Sequence, residues 1–195
     1  MRKPGVERRR EIAGALLRMI GEKGITAFTT AALAAEVGVT SGALFRHFAT
    51  RDEILLETVR VAVAQIDRTF PDPELAPADR LFQFARERIA LLGEEPGILW
   101  LLQSDQASLV LPSEAGELLQ KRIKRSRQFV LKAIRDGISQ GCFREDVEPE
   151  ALVVFVMGTI HALLASPGKH RSASRSKSQN PERVLDALAR LMAPA

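Results

Sequence analysis

The sequence predicts an all-α fold. Apolar residues recur at three- and four-residue spacing along most of the chain, and several of these periodic segments open on proline, whose missing N–H costs nothing in the first turn of a helix. Neither strand-like alternation nor a glycine-rich phosphate loop stands out. With 46% hydrophobic and 27% charged residues over 195 positions, the composition is that of a folded globular chain rather than a disordered one. That length suits one sizeable core, or a small domain joined to a larger one.

Taken in order, Ile12, Leu16 and Ile20, with Ala13 and Leu17, form one apolar stripe on a first helix from about Glu7 to Lys23, which Gly24 ends. Thr29 or Thr30 caps a short second helix through Glu36, with Leu33, Ala34 and Val37 facing inward. Gly38 supplies a left-handed turn, Val39 drops toward the core, and Thr40 caps a third helix from Ser41 to Phe48. A fourth helix starts at Thr50, where a capping threonine is followed by Asp52 and Glu53, and runs to about Arg68 before Pro71 and Pro73. Further helices are expected at about Pro77 to Leu92, Pro96 to Leu109, Ser113 to Gln140, Pro149 to Ala165 and Pro181 to Leu191. The stretch 166–180 is rich in serine and basic residues without an apolar face, and reads as a mobile surface linker.

Charge is unevenly placed. Residues 1–51 carry nine Lys and Arg against four acids, a net +5, whereas the remainder carries 19 against 20. One end of the chain is therefore suited to a polyanion. No apolar run reaches the roughly 20 residues a bilayer demands, and the N-terminus leads into a charged amphipathic stretch, so a cytoplasmic location without membrane association is expected. Cys142 is the only cysteine and reads as a buried small hydrophobe. His47, His161 and His170 are dispersed, with no nucleophile motif and no metal-ligand spacing to Cys142, so neither an enzyme nor a metal or cofactor is expected.

The segment Thr29 to Phe48 answers a specific physical problem. The major groove of duplex DNA admits one α-helix, and a short partner helix must set its angle of entry. Ala31, Ala32, Ala34 and Ala35 keep the supporting helix thin, Gly38 makes the bend and Leu44 anchors the reading helix from behind. Its exposed face then offers Ser41, Gly42, Ala43, Phe45, Arg46 and His47, and the run Arg8, Arg9, Arg10 is expected to add nonspecific phosphate attraction.

This segment, TTAALAAEVGVTSGALFRHFATRDEIL, resembles the N-terminal region of the TetR family of transcriptional regulators, in Gly38-Val39-Thr40, in Leu44-Phe45-Arg46-His47-Phe48 and in the basic Arg51 at the same spacing. The match covers about the first quarter of the chain. The resemblance implies an N-terminal three-helix, helix-turn-helix DNA-binding domain at 1–50 and a C-terminal helical bundle for ligand binding and dimerisation at 51–195. It implies that Ser41, Gly42 and Ala43 meet base edges, while Thr29, Thr30, Phe45, His47 and Arg51 grip phosphates, with Thr40 at the head of the reading helix. Phe45 departs from the more frequent tyrosine and has no hydroxyl to offer a phosphate. Gly42 and Ala43 provide little hydrogen-bonding capacity, so Arg46 and Ser41 are expected to carry more of the direct readout.

One reading helix touches too few bases for selectivity, so a homodimer on a palindromic operator is expected. The last two helices are apolar enough to build it, through Leu152, Phe155, Val156, Thr159 and Leu163 with Val184, Leu188 and Leu191. A small-molecule effector of unknown identity is expected between helices of the bundle, with Phe82, Phe84, Trp100, Gln103, Ser104 and Phe129 as candidate walls. The resemblance implies a repressor that the effector releases from its operator. A DNA-bound architectural or nucleoid-associated factor without an inducer is the alternative.

Overall fold

The computed structural model of the chain describes residues 5–164 and 180–194. Apart from Asn180, the segment read as a linker lies outside the described residues, as do Arg2, Lys3 and His170. The helices are α1 (Gly5–Lys23), α2 (Thr30–Glu36), α3 (Ser41–Leu44), α4 (Arg51–Asp67), α5 (Pro77–Glu94), α6 (Pro96–Gln103), α7 (Asp105–Val110), α8 (Ser113–Ser139), α9 (Pro149–Leu164) and α10 (Pro181–Met192), with a 3-10 turn at Ile25–Ala27. No strand occurs among the described residues. Among the described residues, no helix is long and apolar enough to cross a membrane.

Contacts group the chain into two compact units, one of residues 1–67 with 92–123 and one of residues 68–91 with 124–195. In the first, Ile12, Leu16 and Ile20 of α1, Leu33 of α2, Leu44 of α3, Phe48, and Ile54 and Leu55 of α4 form one core, each at most 1% exposed. Burial of each such side chain is worth about 1.5–3 kcal/mol against exposure, so the short α2 and α3 are held by packing rather than by their own propensity.

Helix α1 also packs on α6, closely enough that side chains are excluded. A Cβ on Gly97 would overlap the carbonyl oxygen of Leu17, and one on Gly21 would lie 2.6 Å from the backbone nitrogen of Gly97. The segment expected as one helix from Pro96 to Leu109 is broken at Ser104, which takes an extended backbone (ψ 123°) between α6 and α7. The Ser104 N–H still donates to the Trp100 carbonyl at 2.9 Å, and the Ser104 carbonyl then accepts from Ala107. Serine followed by aspartate favours such a restart.

In the second unit, Leu81, Phe84 and Ala85 of α5, Val130, Ala133 and Ile134 of α8, Leu152, Val153, Val156 and Ile160 of α9, and Leu185, Leu188 and Met192 of α10 share a core with Phe143. Phe70, Phe84 and Phe129 stack among themselves with ring centroids 5.2–5.5 Å apart. Arg88, 3% exposed, lies against this group, its guanidinium 4.7 Å from the Phe84 centroid and donating to Thr69 and Ser126 hydroxyls. Cys142, expected to be buried, is instead exposed. It follows Gly141, whose positive φ of 69° turns the chain out of α8, and Phe143 takes the inward place.

Candidate nucleic-acid interface

The helix-turn-helix is built from caps. The Thr29 hydroxyl accepts the Ala32 N–H at 3.0 Å to start α2, and the Thr40 hydroxyl accepts the Ala43 N–H at 3.1 Å to start α3. Between them Gly38 sits at φ 67°, with its N–H on the Ala35 carbonyl and the Val39 N–H on the Ala34 carbonyl. This paired closure ends a helix through a left-handed residue, which glycine adopts without steric cost.

The reading element is shorter than the helix expected from Ser41 to Phe48. It is α-helical over Ser41–Leu44 and then tightens, Arg46 N–H donating to the Ala43 carbonyl and His47 N–H to the Leu44 carbonyl. The tighter turn brings Phe48, 1% exposed, onto the same core as the fully buried Leu44. Gly42, Phe45 and Arg46 remain exposed, with Ser41, Ala43 and His47 half-buried beside them. Thr29 is exposed at the head of α2 and Thr30 half-buried. The residues named from the sequence for DNA contact therefore share one accessible stretch of α2, the turn and α3, joined by Arg51 at the start of α4. The Arg51 guanidinium also stacks 4.8 Å over the Phe28 ring.

The arginine run at the start of α1 behaves differently from the expectation of diffuse phosphate attraction. Arg10 is exposed. Arg8 donates to Glu11 at 2.8 Å and to the Val37 carbonyl at 3.0 Å. Arg9 stacks 4.2 Å over the Phe48 ring, pairs with Glu53 at 2.8 Å and donates to the His47 carbonyl. The Glu53 carboxylate in turn accepts the Ala49 N–H at 2.7 Å, while the Glu53 N–H donates to the Thr50 hydroxyl at 3.1 Å. The Ala49 N–H and then Arg9 hold the Glu53 carboxyl below the usual carboxylate range. Its share of the head's stability is therefore present above that range and lost as the pH falls through its lowered pKa.

A cavity of about 420 Å³ lies in the same unit as the head, lined by parts of α6, α7 and the start of α8. Of the expected pocket walls, Gln103 and Ser104 line it. Trp100 packs against the head core. Phe82 and Phe84 belong to the core of the other unit and Phe129 packs against it, where the Phe84 and Phe129 rings meet. Of the expected dimer residues, Leu152, Val156 and Leu188 are buried in the core of the chain itself, where α9 and α10 pack on one another. Phe155 (61% exposed) and Leu191 (67%) are open, with Thr159, Leu163 and Val184 half-buried.

Residues 12–58 match the family model described as bacterial regulatory proteins, tetR family. Over these residues the chain is similar to the DNA-binding segment of the TetR family. The matched segment runs from within α1 through the first half of α4. The transcriptional repressor KstR2 of Mycobacterium tuberculosis is 26% identical over 158 residues, spanning 78% of this chain and 77% of that protein. The nucleoid occlusion factor SlmA of Marinobacter nauticus is 28% identical over 170 residues, spanning 82% and 85%. Among solved structures, the ketosteroid regulator KstR2 of M. tuberculosis matches with a TM-score of 0.76 at 21% identity over 95% of both chains. AibR in complex with isovaleryl coenzyme A and operator DNA matches at 0.73 and 17% identity, covering 95% of this chain and 97% of that one. These likenesses place the whole described chain in the fold that those regulators share.

Proposed function

We propose that this protein is a TetR-family transcriptional repressor that binds a palindromic operator as a homodimer in the cytoplasm, leaves it on binding a small molecule, and carries no catalytic activity. The observation that carries this reading is the capped turn at Gly38, which presents Ser41, Gly42, Ala43 and Arg46 on a basic segment. The exposed Phe155 and Leu191, with Thr159, Leu163 and Val184, supply the self-complementary surface. In this reading residues 1–50 read DNA and residues 51–195 bind effector and partner.

Selection from a random duplex library is expected to return a palindrome with guanine in each half-site, and Arg46→Ala to relax that position by about 1–3 kcal/mol of discrimination. An unchanged consensus overturns the role of Arg46. Binding without sequence preference favours a nucleoid-associated factor, the reading to which the similarity with SlmA lends weight.

The cavity is large enough for a drug-sized effector. Its walls combine Leu101, Leu111 and Ile123 with Gln103, Ser104, Asp105 and Glu117, and among the described residues no Lys, Arg or His lines it. Glu117 lies 3.8 Å from Lys121, with both side chains exposed. Such a lining favours a neutral or cationic amphiphile over an anion of the kind bound by AibR. Hexyltrimethylammonium is expected to raise the melting midpoint and to release the selected duplex, and isovaleryl coenzyme A to do neither. The opposite pattern in a thermal-shift and duplex-release assay overturns this choice.

A further inference from the structure

Helix C-termini leave carbonyls without intrahelical partners, and in the head two of these are met by consecutive residues of one helix. Arg8 donates to the carbonyl of Val37, the residue that closes α2. Arg9 donates to the carbonyl of His47, the last residue of the turn that continues α3. Each guanidinium is also fixed on its far side, Arg8 by Glu11 and Arg9 by both Glu53 and the face of Phe48. Glu53 extends the node to the Ala49 N–H at the entry to α4. A planar fork with several donors suits this multiple engagement, which a lysine ammonium reproduces poorly.

We propose that Arg8 and Arg9 are positioning residues of the DNA-binding head: they clamp the ends of α2 and α3 to α1, set the angle at which the reading helix is presented, and do not themselves hold phosphate. The proposal rests on the DNA-binding reading above. It reverses what charge alone suggests, because Glu53, an acid beside the DNA-binding face, then supports binding instead of opposing it. Removing a negative charge from that face should strengthen binding if only the field matters; removing a strut of the clamp should weaken it.

The test compares the parent with Arg9→Lys, Arg9→Gln and Glu53→Gln on the duplex selected from the random library and on a duplex of scrambled sequence, over a range of salt. All three variants are expected to bind the selected duplex about tenfold more weakly, to bind the scrambled duplex as the parent does, and to keep the parental slope of affinity against salt. A lost phosphate contact would instead lower that slope by about 0.9 and weaken both duplexes alike, with lysine substituting well for arginine. That result, or a Glu53→Gln protein that binds as tightly as the parent or tighter, overturns the clamp. Should either Arg9 variant fail to fold, Glu53→Gln, which removes one ion pair from a half-exposed site, carries the test. A parent that binds neither duplex overturns the DNA-binding reading itself, an outcome distinct from failure of the clamp alone.

Discussion

Gly97→Ala is expected to lower the melting midpoint of the chain by roughly 10 °C. The methyl group would be driven into the Leu17 carbonyl, which belongs to the backbone of α1 and has no rotamer to yield. Overpacking of this kind costs about 1–3 kcal/mol and occasionally more, and each kcal/mol shifts the midpoint of a chain this size by about 2–4 °C. The facing Gly21 is no escape, since its own Cβ position lies 2.8 Å from the Pro96 ring. Because α1 holds the reading helix through Leu16 and Ile20 in the shared core, unseating it from α6 should weaken operator binding as well. Circular dichroism melts check the first effect and duplex titration the second; a midpoint within about 2 °C of the parent would show that α1 and α6 separate without cost.

Gly42→Glu is expected to abolish operator binding, by at least 100-fold, while leaving the melt unchanged or slightly improved. A Cβ at this position meets only the Thr40 hydroxyl, at 4.0 Å. Glycine in a helix is worse than other residues by about 0.5–1 kcal/mol, so the substitution carries no folding penalty. The new carboxylate would point from the accessible face of α3 toward a polyanion, and a like charge forced into an interface costs several kcal/mol. A variant that melts normally and still binds would remove α3 from the interface. These two glycines thus separate in their readouts: one disturbs the scaffold, the other only what the scaffold presents.

Much of the architecture was legible because it is punctuated locally. Pro77, Pro96, Pro149 and Pro181 each open a helix, and Thr29 and Thr40 cap the two helices they precede. Local signals failed where tertiary contact decides. The apolar pattern continues through Ser104, so periodicity alone joins α6 to α7. The sign of a charge says nothing about where a long side chain reaches, and Arg8 and Arg9 therefore read as surface phosphate ligands although their guanidinium groups turn onto helix ends. Aromatic residues drew the expected pocket toward Phe84 and Phe129, whereas those rings satisfy one another, together with Phe70. The cavity is lined by leucines and polar residues that carry no distinctive spacing, the expected Gln103 and Ser104 among them.

The scant furniture of the reading helix has an evolutionary consequence. On the reading proposed above, Ser41, Gly42 and Ala43 offer the groove a hydroxyl, a hydrogen and a methyl group, so duplicated copies of this gene could acquire new targets by adding a side chain instead of dismantling one. Divergence of that sort needs no compensating change in the core, and it makes the three positions natural places to graft altered operator preference.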